Sequence, residues 1–580
     1  MPCGFRLVAV DYDGTIATDD RANEAALHAI AALRDSGIRV ALCTGRIGDE
    51  LRAVFPDVEQ HFDAVIAENG AVVGIGSQEE RTYGDLPLEL LAALDERGVP
   101  FRTGRVLIAT DAGHDRVILA EIERLGLEVQ LVFNRGALMV LPAGVSKGSG
   151  LLRVLAALEV SRHSAIGIGD AENDHSLLAA CEVGVAVGNA VPALKSHADI
   201  CLAEANGAGV AGFLMGPVLQ GEVLVHPARW HVDIGRSTDD EPVQLPGSGI
   251  NLLVAGASCS GKSHFAGLLV ERLVALDYAV CVIDAEGDHV GCARLPGVIA
   301  VGGTEPLPTP HQLARLVRNR FSSVVVDLSQ LRVDQKQEYS RRALVELEAL
   351  RAVNGYPHWI VLEEADQLLG DAGLPESAHP CPAGYCLVTH RPALLSETVL
   401  ASLYGVVAFP GAEQYANIPF KPVAGTADDR SQPFELALGE AVLATNQGMT
   451  AFRVAERSVA HVRHQHKYTH AQVPASRRFY FGSLGDEGNA AGNMIEFRTG
   501  IVKASDDVLR SHLGAGDLSR WTGEVLADDQ LSERLRAIER WFCSERDPKI
   551  EDGRTALLDA IEVRYGLNGV SRLPPDRRDG

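Results

Sequence analysis

Short apolar runs alternate with amphipathic helical patterns over the first 215 residues of the chain. The runs are LVAV, RVALCT, DAVIAEN, SAIGIGD and VGVAVGN, and most of them end in polar residues. Buried runs separated by helices predict a parallel, doubly wound α/β sheet. Because such sheets bind ligands at the carboxyl ends of their strands, we expect the polar residues at these ends, Glu68 among them, to converge on one site.

The first run leads into two carboxylates, in the segment LVAVDYDGT. Asp11 and Asp13 would point the same way from an extended strand, and like charges that close repel unless a cation lies between them. Taken alone, a turn with solvated acids explains the segment equally well. With Thr44, Lys147 and Asp170 at other strand and helix ends, the hydroxyl, the ammonium and the carboxylates together predict a magnesium and phosphate site.

These motifs resemble the haloacid dehalogenase (HAD) superfamily, in particular its capped, sugar-phosphatase-like branch. DYDGT, CTGR, AENGA, PAGVSKGSGL, GIGDAENDHSLL and VGVAVGNA match in order over about residues 4–213. The resemblance implies a Rossmann-like parallel sheet with an inserted α+β cap at about 82–145. It also implies that Asp11 is a nucleophile that forms an aspartyl-phosphate, and that Asp13 acts as general acid and then as base.

The same resemblance implies a Mg²⁺ ion and a set of contacts to the phosphoryl group. Asp11, the backbone carbonyl of Asp13 and Asp170 would hold the metal, with Asp174 in its outer shell. The residues implied to bind the transferring phosphoryl group are Thr44 and Lys147, and those expected to contact the rest of the substrate are Gly45, Arg46, Asn69 and Asn173. A short cap favours a small phosphorylated metabolite as the substrate.

A second phosphate-binding signal lies at 256–263, where GASCSGKS follows the apolar run NLLVA and precedes a helical pattern. This is the context that a P-loop requires, although a Gly-rich turn could carry GKS by chance. In a P-loop, Lys262 would reach the β and γ oxygens of ATP and Ser263 would bind Mg²⁺. The residues expected to bind the nucleotide are Gly256, Ser258, Ser260, Gly261, Lys262, Ser263, Thr389 and Arg391.

Residues from about 230 to 415 resemble the HerA/FtsK class of P-loop ATPases, through VVVDLSQL, LEEAD and VTHRP. The resemblance implies a RecA-like α/β domain and a homo-oligomeric ring, commonly hexameric. It implies that Glu363 faces the Mg²⁺ ion, that Glu364 polarises the attacking water, and that Thr389, His390 and Arg391 sense the γ-phosphate. The sequence departs from the class at Glu363, where Asp is usual, and at His390, where Gln is common.

Two other functions remain open for this second region. The segment IDAEGDHVG could place Asp284 or Asp288 as the base of a small-molecule or polynucleotide kinase, which would make the chain a kinase-phosphatase for nucleic-acid ends. A nucleotide-switched oligomeric scaffold is the other alternative. We favour the ATPase, since the acid pair Glu363-Glu364 stands where an ATPase needs its water-activating group and no kinase lid is evident.

Composition limits the partners and the location. The net charge of −24 disfavours unselective nucleic-acid binding, and ten cysteines without metal-site spacing favour a reduced, cytoplasmic protein. The sequence shows no signal peptide and no apolar run of about 18 residues, so we expect no membrane span. Only eight residues are lysine, which adds weight to Lys147 and Lys262.

We expect four regions and a tail. The predicted boundaries are 1–215 for the phosphatase domain, 216–245 for a linker or hairpin, 246–445 for the P-loop domain, 446–568 for a mainly helical C-terminal module and 569–580 for a disordered tail. HVRHQHKYTH, at 461–470, predicts a solvated or nucleotide-facing basic patch rather than a metal site.

Overall fold

The structure of the chain is a computed structural model. It describes residues 4–76, 78–81, 87–134, 136–257, 260–303, 305–320, 323–370, 373–374, 383–412, 436–459, 469, 473, 475–482, 489–526, 528–545 and 548–565. The chain divides into two compact units. The first consists of residues 1–231, 246–249 and 346–358, and the second of the remaining residues. Within the described ranges, no helix is both long enough and apolar enough to cross a membrane.

The first unit contains fourteen short strands and ten complete α-helices within the described ranges. The strands are β1 (Leu7–Asp11), β2 (Ala17–Thr18), β3 (Arg21–Ala22), β4 (Arg39–Cys43), β5 (Ala64–Ala67), β6 (Val72–Ile75), β7 (Gln78–Arg81), β8 (Arg102–Thr103), β9 (Ile108–Asp111), β10 (Val129–Asn134), β11 (Ala137–Pro142), β12 (Ala165–Gly169), β13 (Val183–Ala186) and β14 (Ile200–Cys201). The helices are α1 (Glu24–Asp35), α2 (Gly48–Val54), α3 (Val58–His61), α4 (Leu88–Glu96), α5 (Asp115–Leu125), α6 (Lys147–Ala157), α7 (His175–Ala179), α8 (Pro192–Lys195), α9 (Asn206–Leu214) and α10 (Pro217–Gln220).

The main sheet of this unit has the strand order β14-β13-β12-β1-β4-β5-β6-β7, and its strands from β14 to β5 are parallel. Alternate residues of β1 lie in different hydrophobic clusters, Val8 and Val10 in one and Leu7 and Ala9 in the other. Both faces of the strand are therefore covered, as an all-apolar run predicts. The predicted Rossmann-like parallel sheet is confirmed for this part of the chain.

Strands β8 to β11 form a separate antiparallel sheet with the order β10-β11-β9-β8. They fall in the interval 82–145 that the sequence assigns to a cap, together with α4 and α5. Residues 82–86, where the interval begins, lie outside the described residues. One hydrophobic cluster joins this sheet to the segments around it, because Val106, Leu107 and Met139 pack with Ile47 and Ala71.

The second unit is built on an eleven-stranded sheet with the order β16-β15-β25-β24-β23-β17-β22-β21-β18-β20-β19. Its strands are β15 (Val232–Ser237), β16 (Pro242–Leu245), β17 (Leu252–Ala255), β18 (Val280–Asp284), β19 (Val298–Gly302), β20 (Ser323–Asp327), β21 (Trp359–Glu363), β22 (Tyr385–Thr389), β23 (Gly405–Ala408), β24 (Glu440–Thr445) and β25 (Gly448–Val454). The helices are α11 (Lys262–Ala275), α12 (Pro310–Arg320), α13 (Val333–Asn354), α14 (Ala365–Leu369) and α15 (Glu397–Ala401), of which α13 ends in the first unit.

Strands β23, β17, β22, β21, β18, β20 and β19 run parallel, whereas β16, β15, β25 and β24 continue the sheet in antiparallel pairs. The sheet thus includes strands on both sides of the interval 246–445. It places the ends of β17, β18, β21 and β22 side by side, since these strands are neighbours in the parallel part.

The last part of the second unit contains the small strand pair Phe479–Tyr480 with Ala490–Ala491 and five helices within the described ranges. The helices are Met494–Lys503, Asp506–Ala515, Asp517–Glu524, Asp529–Ser544 and Ile550–Tyr565. They share one hydrophobic cluster that includes Phe497, Trp521 and Leu557. The predicted basic patch at 461–470, except for position 469, and the predicted tail at 569–580 lie outside the described residues.

Candidate functional site

Three carboxylates and one lysine form a buried cluster at the carboxyl end of the first sheet. Asp11 is the last residue of β1, Asp170 directly follows β12, and Asp174 lies in the turn before α7. One oxygen of each carboxylate lies within 4.8 Å of the others. The Nζ atom of Lys147 donates to Asp11 Oδ1 at 2.5 Å and to Asp174 Oδ1 at 2.6 Å. The sequence-predicted residues of this cluster therefore meet at one point.

The start of α6 delivers Lys147 to this point. Ser146 caps the helix, and its hydroxyl accepts a hydrogen bond from the backbone N–H of Ser149. Glycine is required on the same turn, because a Cβ on Gly148 would lie 2.2 Å from a backbone oxygen of α7 and one on Gly150 would lie 2.7 Å from the Cα of Gly70. The segment SKGSG is thus the part of the sequence that lets the helix approach the carboxylates closely.

The electrostatics of the cluster favour a bound cation. Burial, and next the charge of Asp174, raise the pKa of Asp11 well above its ordinary value, although Lys147 acts in the opposite direction. Burial would lower the pKa of Lys147, but the two carboxylates that it contacts raise it. Three carboxylates against one ammonium leave an excess of negative charge, and carboxylate oxygens are ligands that Mg²⁺ prefers. The donor set therefore fits Mg²⁺.

Asp13 lies outside this buried cluster and is held by Arg46. The guanidinium of Arg46 donates through Nε to Asp13 Oδ2 at 2.7 Å and through Nη2 to Asp13 Oδ1 at 2.5 Å, and it also pairs with Asp20. The Asp13 side chain is 42% exposed, so solvent and a substrate can reach it. Asp20, which follows the hairpin strand β2, was not among the residues that we predicted.

Thr44, Asn69 and Asn173 line the next part of the site. The Thr44 hydroxyl oxygen accepts from the backbone N–H of Arg46 at 3.1 Å, and Asn173 Nδ2 donates to Asn69 Oδ1 at 3.2 Å. Asn173 Oδ1 is buried without a hydrogen-bond partner among the described residues. Since buried polar atoms are normally paired, this oxygen is available to a ligand.

Gly45 and Met139 bring the antiparallel sheet over the same residues. A Cβ placed on Gly45 would lie 3.3 Å from Met139 Sδ and 3.4 Å from Asn173 Nδ2. Met139 lies in β11, so this strand covers Gly45 and Asn173. Glu68 does not join the carboxylate cluster, because its buried carboxylate instead accepts hydrogen bonds from three backbone N–H groups of the segment 105–107. The expectation that Glu68 converges on the site was wrong.

The second unit places a loop and a lysine after β17. Lys262, the first residue of α11, donates from Nζ to the backbone oxygen of Ala257 at 2.9 Å and is nearly buried. The Ser260 hydroxyl is buried and finds no hydrogen-bond partner in the part of the chain that the structure describes. Gly261 has a φ of 119°, a conformation that glycine adopts readily, and a Cβ on Gly256 would lie 2.4 Å from Ser260 Oγ. Ser258 lies outside the described residues.

Ser263 and Glu363 meet at the end of β21. Ser263 Oγ donates to Glu363 Oε1 at 2.5 Å, while His289 Nε2 lies 3.1 Å from Glu363 Oε2. Burial would lower the pKa of His289, but a hydrogen bond with Cys292 and the contact with Glu363 raise it well above its ordinary value. The contact with Glu363 therefore favours the protonated form of His289. His289 follows β18 by five residues and was not predicted from the sequence.

The residues that follow Glu363 pair with the end of β22. Glu364 has a φ of 55°, and its Oε2 lies 2.9 Å from His390 Nδ1. Asp366 accepts from the Thr389 hydroxyl at 2.6 Å and from Arg391 Nε at 2.9 Å. The predicted residues Thr389 and Arg391 are thus joined through Asp366, which the sequence analysis missed although it stands two residues from Glu364.

Asp284 and Asp288, the two residues predicted as possible bases of the alternative kinase function, are both buried, and Asp284 is fully so. The contacts of Asp284 are local. Its carboxylate accepts from the backbone N–H groups of Glu286, Gly287 and His289 at 2.7–3.0 Å. Burial raises its pKa to about 6. A carboxylate that stabilises its own turn in this way is not placed to take a proton from an acceptor hydroxyl, since a base must come within hydrogen-bond reach of that proton.

Known proteins resemble this chain over residues of the first unit. A family model described as haloacid dehalogenase-like hydrolase matches residues 8–93 and 100–214. Phosphoglycolate phosphatase 2 of Saccharolobus solfataricus is 30% identical over 218 residues, 36% of this chain and 90% of that protein. Phosphoglycolate phosphatase of Methanopyrus kandleri is 34% identical over 221 residues, 36% of this chain and 95% of that protein. A solved haloacid dehalogenase-like hydrolase from B. subtilis is 20% identical with a TM-score of 0.32, over 36% of this chain and 99% of that one.

Proposed function

Because the chain belongs, through residues 8–214, to the haloacid dehalogenase-like hydrolase family, we propose that its first unit hydrolyses a small phosphomonoester by way of an aspartyl-phosphate. The observation that carries this proposal is the contact of Lys147 with Asp11 and Asp174 beside Asp170. It joins a nucleophilic carboxylate to a buried positive charge, which a carboxylate needs before it can approach a phosphate.

The chain's own residues supply the proton transfers. A carboxylate oxygen of Asp11 attacks phosphorus, the ester P–O bond breaks, and Asp13 gives its proton to the leaving alkoxide. Asp13 then takes a proton from water, which attacks phosphorus and releases Asp11 and inorganic phosphate. Arg46 orients Asp13 for both steps, and Lys147 stabilises the charge that develops on the phosphoryl oxygens.

Asp11, Asp170 and the backbone carbonyl of Asp13 would hold Mg²⁺, with Asp174 supporting them. A Mg²⁺ ion held there would act as a Lewis acid that neutralises phosphoryl charge. Asp174 Oδ2 already accepts from the backbone N–H groups of Asp170 and Ala171, each at 3.0 Å, so the loop around it is fixed. Thr44, Gly45, Asn69 and Asn173 would contact the substrate.

The names of the relatives make 2-phosphoglycolate the first substrate to test. Sugar phosphates follow, since the sequence motifs resemble the sugar-phosphatase-like branch. Phosphate release from this panel would be measured for the wild type, for Asp11→Asn and for Asp35→Asn, an exposed aspartate that serves as the control. We expect activity in the wild type and the control and a loss of about 10³-fold or more in Asp11→Asn. Equal release by all three proteins would refute the proposal.

We also propose that the second unit, through a domain at about 246–445, binds Mg²⁺ and ATP and hydrolyses the ATP as a HerA-like ATPase. The contact between Ser263 and Glu363 and the nearly buried Lys262 support this proposal. Glu364 would polarise the attacking water, and Thr389 and Arg391 would respond to the γ-phosphate through Asp366. The ring, which the class resemblance implies, would be tested by light scattering with and without ATP.

One labelling experiment separates the ATPase from the kinase. The γ-phosphate of labelled ATP would be followed in the Asp11→Asn background, where the phosphatase cannot remove a product, with sugars, nucleosides and oligonucleotides as acceptors. The burial of both Asp284 and Asp288 favours release of free phosphate only. Label on an acceptor would establish the kinase instead, and nucleotide binding with ring assembly but without release would establish the scaffold.

We propose a cytoplasmic location for this bifunctional hydrolase. The cysteines that the structure describes are all free thiols, several of them buried. Burial raises the pKa of the Cys181 thiol to about 12 and so keeps it protonated and unreactive. These features suit a reducing compartment.

A further inference from the structure

Glu68 is a buried carboxylate whose hydrogen-bond partners come from another part of the first unit. It directly follows β5, and only 1% of its surface is exposed. Oε1 accepts from the backbone N–H of Arg105 at 2.8 Å, and Oε2 accepts from Val106 at 2.8 Å and from Leu107 at 3.0 Å. The salt bridges of the described residues do not include Glu68, so these peptide groups stabilise its charge. We call residues 104–107 the cap loop.

The cap loop is shaped for this carboxylate. A Cβ on Gly104 would lie only 2.4 Å from the Cδ and Oε1 atoms of Glu68, so glycine is the residue that permits the approach. The backbone N–H of Gly104 donates to the oxygen of Leu107 at 2.8 Å, which closes the loop into a tight turn. Three successive N–H groups thereby point to one side and form a site for an anion.

The cap loop is in turn packed against the strand that covers the substrate site. Val106 and Leu107 belong to the hydrophobic cluster that contains Met139, and all three are buried. Met139 Sδ would lie 3.3 Å from a Cβ on Gly45. We call Met139 the roof of the site. A displacement of the cap loop would move the roof, because close-packed side chains transmit such shifts.

The backbone of Glu68 belongs to the turn that carries the substrate-facing residues. The backbone N–H of Glu68 donates to the oxygen of Arg46 at 2.9 Å, and that of Asn69 donates to the oxygen of Thr44 at 2.9 Å. The Asn69 side chain accepts from Asn173. One residue therefore connects the floor of the site, at Thr44 and Asn173, with the loop that supports its roof.

We propose that Glu68 is a positioning residue that latches the cap loop and thereby fixes the height of the Met139 roof above the substrate. The latch determines how large an organic group fits between the roof and Gly45, and it selects for small phosphomonoesters. This role rests on the proposed phosphatase function. The three hydrogen bonds that the Glu68 carboxylate accepts in the described structure come from the cap loop, so it acts on the site through Met139.

The hold of Glu68 on the cap loop depends on its carboxylate group, because three N–H donors need acceptors. A carboxylate offers only acceptors to the three N–H groups, whereas the isosteric amide of Gln would turn an NH₂ donor toward some of them. Hydrogen bonds to a charged group are also stronger than those to a neutral one. Glu68→Gln therefore keeps the volume of the side chain and weakens its hold on the cap loop.

Two measurements on Glu68→Gln test the latch, and one of them needs no catalysis. Hydrogen–deuterium exchange should rise at the amides of 105–107. In kinetics on the best substrate of the panel, KM should rise about tenfold, while the inhibition constant of inorganic phosphate stays within about twofold, since the phosphate pocket is intact. Gly104→Ala, which presses on the same contact from the loop, should produce the same pair of changes.

Glu121→Gln is the matched control. Glu121 is also buried, but it pairs with Arg97 and Arg124, and within the described part of the chain its ion pairs do not reach the cap loop. This variant should leave KM and the exchange at 105–107 as in the wild type. The double variant Glu68→Gln/Gly104→Ala should lose less than the product of the two single effects, because both remove one contact.

Unchanged exchange at 105–107 in Glu68→Gln would overturn the latch. So would increased exchange with KM and the inhibition constant both unchanged, since Glu68 would then be merely structural. Failure of the phosphatase proposal gives a different result, namely phosphate release that does not depend on Asp11. The exchange measurement reports on the latch in either case.

Discussion

Each unit of this chain contains a buried lysine, and the two lysines have different hydrogen-bond partners. In the first unit, Lys147 contacts two carboxylates, and its charge is balanced within the protein. In the second unit, Lys262 contacts a backbone carbonyl, and the carboxylate nearby, Glu363, is paired instead with Ser263 and His289. The lysine of the first unit therefore has two carboxylate partners, whereas that of the second donates to a backbone oxygen of the loop beside it.

This difference corresponds to the source of the negative charge in each proposed reaction, which is the protein itself in the first unit and the bound nucleotide in the second. A carboxylate nucleophile must be present before the substrate arrives, so its repulsion has to be offset in the resting protein. A P-loop has no nucleophile of its own, and the phosphate charge that its lysine contacts arrives with the nucleotide. We therefore expect the two units to respond differently in activity, stability and metal dependence when these residues are replaced.

The largest expected effects come from replacing the two lysines. Lys147→Met should lower phosphate release from the organic substrate by about 10²–10³-fold and leave ATP hydrolysis within about twofold, and Lys262→Met should do the reverse. Both reactions are measured on each variant, with Lys503→Met, an exposed lysine, as the control. Loss of both reactions in either variant would show that the two sites depend on each other.

The same variants should differ in stability. Lys147→Met leaves buried carboxylates without their cation, which costs about 3–5 kcal/mol, whereas Lys262→Met loses a hydrogen bond to a carbonyl, worth about 1 kcal/mol. Thermal unfolding in EDTA measures the difference, and added Mg²⁺ should restore part of the loss in Lys147→Met. Equal melting temperatures for the two variants would contradict the expectation that Lys147 contributes more to stability than Lys262 does.

A smaller effect is expected from the residue that joins Thr389 and Arg391. Asp366→Asn weakens the hydrogen bonds to both partners, so ATP hydrolysis should fall about tenfold while the Kd for ADP, which lacks the γ-phosphate, changes by less than about twofold. Nucleotide binding is measured by calorimetry and turnover by phosphate release. An equal loss of ADP affinity would instead show that Asp366 supports the nucleotide-binding loop as a whole.

The smallest effect concerns pH and metal. Burial and Asp174 raise the pKa of Asp11 in the folded state. Its contribution to stability is therefore complete below the unfolded value of about 3.9 and is lost as pH rises through the folded value. Mg²⁺ favours the ionised form, so its stabilising effect should grow from pH 5 to pH 8, by about 2–4 °C in melting temperature.

The variant Asp11→Asn is the control for this pH dependence. Its amide cannot ionise, so the shift caused by Mg²⁺ should be smaller and nearly independent of pH. The second unit offers an internal reference, since its transition should not respond to Asp11. A pH-independent shift in the wild type would mean that Asp11 does not titrate with metal binding.

Much of the first unit could be predicted from the sequence because its signals are local. Apolar runs predict the parallel strands, and residues at their ends meet by geometry alone, as Asp11 and Asp170 do on the neighbouring strands β1 and β12. Lys147 could be placed because a helix start with a capping serine is readable in the sequence.

The residues that we missed are those whose partners depend on tertiary packing. Glu68 is an acid after a strand, like Asp11, but nothing local shows that a loop near 105 folds over it. Asp20 and His289 contact groups that lie 26 and 74 residues away in the chain. Asp366 carried one usable signal, since it follows Glu363 by three residues on a strand-to-helix turn.

The most direct test of the central claim is to trap the phosphorylated protein. Asp13→Asn keeps the nucleophile but lacks both the acid that protonates the leaving group and the base that activates water. A phosphorylated intermediate should therefore accumulate when an acyl or aryl phosphate, whose leaving group needs no protonation, is added with Mg²⁺. Peptide mass spectrometry after acid quench should show one phosphoryl group on Asp11, and none in EDTA or in Asp11→Asn/Asp13→Asn. A phosphoryl group on another residue, or its formation without Asp11, would contradict the account.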